Sequence, residues 1–138
     1  MSDYNNFKGN HQSLSSVDLS GVTWSQNSGF SESSNVGTAF ASMINNGASG
    51  KRVISDLIDV PDTGLIIDIN DGYQFSLIAY DSSGNYLKKY ITWASAPTVV
   101  HDSSVKKIAL VVRNYNETTT LSTSDVILSG ISIKYSAS

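Results

Sequence analysis

Cysteine is absent from this 138-residue chain, so neither a disulfide nor a thiolate-bound metal is available to it. Charge is scarce too: 15% of residues are charged and the net charge is −3. No basic stripe of the kind nucleic acid requires stands out, so no nucleic-acid partner is expected. No apolar run approaches the roughly 18 residues that span a bilayer, so no membrane insertion is expected. Met1 is followed by polar residues, without the basic and apolar regions of a secretory leader. A protein of this kind acting outside a cell would arrive by another route, such as a released virus particle, or Met1 begins an excised piece of something larger. Proline occurs twice, and no long helical periodicity is present.

What the sequence does have is short β-strand patterns separated by Ser, Asn, Asp and Gly. The clearest is a hairpin. Tyr73–Tyr80 and Tyr86–Trp93 are aromatic-rich runs flanking Asp81, Ser82, Ser83, Gly84 and Asn85, a cluster of turn formers. Such a hairpin brings Tyr80, Tyr86, Tyr90 and Trp93 near one another. Along its first strand Tyr73, Phe75 and Leu77 share one face, and Gln74, Ser76, Ile78 and Tyr80 the other. In Val105–Arg113 both faces are apolar: Ile108, Leu110 and Val112 on one, Ala109 and Val111 on the other. That strand is therefore expected to be covered on both sides. Further strands are expected at Leu19–Trp24, Arg52–Val60, Leu65–Ile69, Ser124–Leu128 and Ile131–Tyr135. Gly37–Ile44 suits a strand or one helical turn, and Ser25–Val36 and 45–50 read as loops. The sum is an all-β fold, an antiparallel β-sandwich of jelly-roll type. Residues 19–138 form the domain, and 1–18 a linker or loosely held N-terminal segment.

Signs of catalysis are few. His11 and His101 sit in polar loop sequence with no motif around them. No Gly-x-Ser-x-Gly elbow is present. Glu32 and Glu117 are the only glutamates, and the strand-end aspartates fit structural roles better than a glycosidase pair. Asp68, Asn70, Asp71 and Gly72 resemble the start of a calcium loop, but the glycine comes one position early and no bidentate Glu follows. The Gly47-to-Lys51 stretch lacks the spacing of a phosphate loop. Asn116, Glu117 and Thr118 match a glycosylation acceptor pattern that is common by chance. Neither enzyme activity nor a cofactor or metal is expected.

The aromatic and cationic residues hold more promise. Trp93 follows a strand and precedes the small-residue loop Ala94–Pro97, and Tyr80 ends its strand; both are candidates for exposure. Arg52 and Arg113, the only arginines, lie in apolar strands rather than in charge runs. A guanidinium there can present a planar hydrogen-bond fork to hydroxyls or an anion. Alternatively each is tied to a nearby carboxylate such as Asp56 or Asp81.

In their order along the chain these elements resemble a known family. They are a Trp strand (Val22–Trp24) followed by Gly29, a basic-led strand (Lys51–Val60), and a short Ile67-Asp68-Ile69 strand. The Tyr-rich hairpin ending in Trp93 and the Ile108–Asn114 strand complete the series. Together they resemble the carbohydrate-binding modules in tail-tip proteins of phages infecting Gram-positive, lactic-acid-type bacteria. Such modules occur in evolved distal tail proteins and accessory baseplate proteins. The resemblance spans about residues 20–135. It implies a non-catalytic β-sandwich on the virion that binds cell-wall or cell-surface polysaccharide of the host and is attached to a parent tail protein. The candidate ligand-binding residues are then Trp24, Arg52, Tyr80, Asp81, Trp93 and Arg113. The alternative is a structural or oligomerisation domain of a virion or surface protein, with its aromatics buried.

Overall fold

Strand alternation explains the centre of the molecule. Phe75, Leu77 and Ala79 point to one side of their strand and Ile78 and Tyr80 to the other, and all are buried. The computed structural model describes residues 14–26, 28–31, 34–46, 51–117, 120–126 and 129–136. Its strands are β1 (Leu14–Ser16), β2 (Trp24–Gln26), β3 (Ser28–Phe30), β4 (Ile44–Asn46), β5 (Arg52–Ser55) and β6 (Ile58–Asp59). They continue with β7 (Leu65–Asp68), β8 (Tyr73–Tyr80), β9 (Tyr86–Ala94), β10 (Thr98–Val100), β11 (Lys107–Asn114) and β12 (Ser132–Ser136).

The strands form an antiparallel β-sandwich. One sheet runs β1-β12-β7-β10, and the other β2-β5-β11-β8-β9, with β6 also pairing β11. Between them lies the main core, built on Phe75, Leu77, Ile108, Leu110, Leu65 and Ile67. As expected from its two apolar faces, β11 is covered on both sides. Ala109 and Val111 join Ile54, Ile78, Tyr80 and Met43 in a second, outer cluster.

A strap covers that outer face. β3 and β4 pair with each other, and a helical turn at Phe40–Met43 lies just before β4. This resolves the open choice at Gly37–Ile44 in favour of the turn. Met43 is the buried residue of the strap's helical turn, and Phe30, Phe40 and Ile44 pack in the same cluster. The strap is laced to the hairpin tip: Gly37 N–H donates to Tyr86 O, Tyr86 N–H to Thr38 O, and Phe40 N–H to Gly84 O.

Several expected elements changed form, each for a local reason. Leu19–Gly21 is a 3-10 turn and the strand begins at Trp24, because the Asp18 carboxylate accepts from Ser20 N–H and closes a turn. Arg52–Val60 breaks into β5 and β6 where Asp56 accepts from Leu57 N–H. Within 124–128, Ser124–Val126 is a 3-10 turn, with Asp125 accepting from Ser122 N–H. The polar stretch 25–36 contains β3, and Thr98–Val100 pairs β7 without having been foreseen. In the segment read as a linker or loose strand, Leu14–Ser16 pairs β12. His11, Glu32 and the 47–50 loop lie outside the described residues.

Candidate functional site

Three of the six candidates meet on the outer face of the larger sheet. Arg52 and Arg113 are directly opposite each other on β5 and β11, and Gln74 on β8 is opposite Arg113. The row Gln74–Arg113–Arg52 thus crosses three strands. Two like charges facing each other across strands repel. Glu117, in the 3-10 turn beyond β11, relieves this. Its carboxylate accepts from Arg52 Nε at 3.1 Å and Nη2 at 2.9 Å, and from Arg113 Nη1 at 3.0 Å. Arg113 spends its Nε and Nη2 on the Gln74 side-chain oxygen, at 3.1 and 2.9 Å.

Trp93 completes the cluster through a defect in the ladder. Phe75 pairs with Ala94 and Leu77 with Ile91, so Thr92 and Trp93 together oppose Ser76 alone. This is a β-bulge, and one extra residue reverses the alternation downstream of it. Ile91 and Ala94 both pack toward the main core, while Trp93 joins the outer cluster. The buried Ser76 hydroxyl accepts from Trp93 N–H at 3.1 Å and pins the bulge. The guanidinium carbon of Arg113 then sits 3.7 Å from the centre of the indole, and that of Arg52 5.0 Å from it.

The bulge holds Trp93 at φ 50°, and Glu117 stands at φ 55°. Among the described residues these are the two non-glycine positions with positive φ. Each costs on the order of 1–3 kcal/mol, and such residues gather at functional sites. Both belong to this one cluster.

Electrostatics follow the hydrogen bonds. The bonds from Arg52 first, and then the charges of both arginines, hold the Glu117 carboxyl below its ordinary range. The half-buried Trp93 ring and the Arg52 side chain line a cleft with Lys89, Ser76, Tyr86 and the strap residues Gly29, Phe30, Ser31 and Met43. Its volume of about 40 Å³ admits a few water-sized groups, at roughly 10–15 Å³ each. A sugar ring does not fit inside, but one of its substituents does. The site offers a half-buried aromatic ring beside two guanidinium groups held by Glu117 and Gln74.

The other three candidates lie elsewhere. Tyr80, expected at the surface, is fully buried: the strap covers it, Phe40 and Tyr86 pack edge-on against its ring, and its hydroxyl donates to Met43 Sδ. Burial also pushes its phenol well above the usual range. Trp24 faces the opposite way and packs against the main core, lining a groove with Leu19, Val22, Val126 and Ile131. Asp81 closes the hairpin turn, accepting from Ser83 and Asn85 N–H. Nor do the arginines pair with Asp56 or Asp81: their partner is Glu117, 65 residues from Arg52 in sequence. The spacing of four between Arg113 and Glu117 was the one available signal, and it carries weight only on a helix.

His101 is exposed beside a second, polar hollow lined by Asp62, Asp102 and Lys106, where Lys88 binds Asp102 at 2.8 Å. At the calcium-like stretch, Asp68 turns its carboxylate onto Ile69 N–H. No family model matches this chain, and no curated protein or solved structure does.

Proposed function

We propose that this chain is a non-catalytic saccharide-binding module acting at the surface of a Gram-positive host, carried at the tail tip of a phage. The observation that carries the binding part is the Trp93 indole, half-buried, backed by Arg113 and bordering the small cleft beside Arg52. An aromatic ring held rigid, with the partly exposed Arg52 guanidinium beside it, suits the apolar face and polar edge of a pyranose. The tail-tip setting is supported by the sequence resemblance. A single site of this size binds weakly, since each hydrogen bond gains only about 1 kcal/mol net. Many copies on one particle raise the effective concentration enough for attachment.

The test is a fluorescent, multimerised form of the domain applied to Gram-positive cells and to polysaccharide purified from their walls. Labelling that is lost in a Trp93→Ala form supports the reading. Failure to label any cell or polymer across a broad panel sinks it.

A structural or assembly role has its own observation in favour. The hydrogen bonds of Arg113 are directed at Gln74 and Glu117, as in a framework residue. A stable oligomer in sedimentation, together with no saccharide binding, would select that reading.

A further inference from the structure

We propose that the Arg52–Arg113 pair is an anion subsite, occupied in the free protein by Glu117, and that the recognised saccharide carries a carboxylate or phosphodiester that takes Glu117's place. This rests on the saccharide-binding reading above and names the chemistry of its ligand.

The geometry is that of a preformed oxyanion site. Glu117 Oε1 is shared by Arg52 Nη2 and Arg113 Nη1, while Arg52 Nε reaches Oε2. Forked donors of this kind hold a ligand carboxylate or phosphate equally well. Arg113 does not depend on Glu117 for its position, because Gln74 accepts from two of its nitrogens and the indole lies against it. The subsite therefore persists when Glu117 leaves. Arg52 lines the cleft and its side chain is 34% exposed, so its guanidinium is reachable from outside. The cleft excludes a ring but has room for an acidic substituent beside a sugar stacked on Trp93.

Glu117 is also a strained occupant. It reaches the arginines from a left-handed backbone conformation, at φ 55°. Position 74, directly opposite Arg113 on β8, already reaches that guanidinium from ordinary strand backbone, so a permanent counter-ion there would carry no such strain. A strained carboxylate that mimics a ligand is one that a ligand can replace.

The experiment uses a Trp24→Phe background, which leaves Trp93 as the sole tryptophan and reporter. Its fluorescence is titrated with polygalacturonate, with poly(glycerol phosphate), and with carboxyl-reduced polygalacturonate as the neutral counterpart. One or both acidic polymers should bind about tenfold more tightly than the neutral one, a difference of roughly 1.4 kcal/mol. Which of them binds identifies the anion. Glu117→Ala should tighten acidic binding relative to neutral binding, and Arg52→Ala should erase the preference. If Glu117→Ala proves unstable, Glu117→Gln removes the competing charge while keeping the shape.

Equal binding of neutral and acidic polymers, or weaker acidic binding by both Glu117 variants, overturns the inference and leaves the saccharide reading intact. Quenching of Trp93 by inorganic phosphate in Glu117→Ala, with no polymer bound, keeps the anion subsite and sinks the saccharide reading. No response to any probe overturns both.

Discussion

Arg113 lies over the Trp93 ring, its guanidinium carbon 3.7 Å from the centre of the indole, and its side chain is only 14% exposed. It is therefore a support for the ring before it is a donor to any ligand. Arg113→Ala should lose about 2–3 kcal/mol in urea unfolding, since hydrogen bonds to charged groups are worth roughly 1.5–3 kcal/mol. Arg113→Lys should recover only part of this, because an ammonium cannot bridge Gln74 and Glu117 while covering the ring. An unchanged midpoint in Arg113→Ala would contradict this role.

Arg52 should behave differently. Its ion pair is more exposed, and such pairs contribute about 0–1 kcal/mol. Arg52→Ala should melt close to the parent yet bind cell-wall polysaccharide weakly, as read by cell labelling and calorimetry. A large stability loss with normal binding would reverse the assignments of the two arginines.

The backbone of Trp93 provides a separate check. Within ordinary strands glycine is about 0.5–1 kcal/mol less stable than alanine. At φ 50° the order should invert, so Trp93→Gly should be more stable than Trp93→Ala. Both should lose polysaccharide binding. If alanine is the more stable replacement, the left-handed bulge is not the native conformation.

Glu117 should show itself in acid. Its folded-state carboxyl lies below the ordinary 4.5, chiefly through the Arg52 hydrogen bonds. The unfolded chain then takes up the proton first as pH falls, so the stabilising contribution is complete above 4.5 and is lost as pH drops through the lower folded value. The melting-temperature gap between parent and Glu117→Gln should be steady near neutrality and close progressively in more acidic buffer. A gap that is constant down to strong acid would mean the carboxylate charge is not what the arginines hold.

Tyr80→Phe deletes only the buried hydroxyl that meets Met43 Sδ. Stability should fall by about 0.5–1.5 kcal/mol, while saccharide binding stays at the parental level. Reduced binding with unchanged stability would return Tyr80 to the list of ligand contacts.

The sandwich and its β8–β9 hairpin were readable in the sequence because β8 and β11 are long apolar runs and a clear turn cluster separates β8 from β9. Parity correctly placed Tyr80 on the face opposite Phe75. Its exposure could not be read from the strand end, because the cover comes from the strap around Phe40 and Met43, some 40 residues earlier. The cluster was half legible. Trp93, Arg52 and Arg113 stood out by rarity and position, but nothing local revealed the bulge that turns Trp93 outward. Glu117 carries no local signal, because its meeting with Arg52, 65 residues away, depends on strand order. Short polar segments misled for a simpler reason: Asp18, Asp56 and Asp125 each bond a nearby N–H and replace extended backbone with a turn or break.

The irregular pairing of β8 with β9 has a consequence for molecules packed side by side. Its register shifts three times, β9 forms one rim of the sheet, and Lys88 stands exposed on it. The opposite rim, β2, is three residues long. A straight, even strand at a rim would offer a template on which a neighbouring copy could add its own sheet and start a fibre. On this sheet one rim is uneven and carries a charge and the other is short, so neither offers a neighbouring copy a ready template for adding a strand.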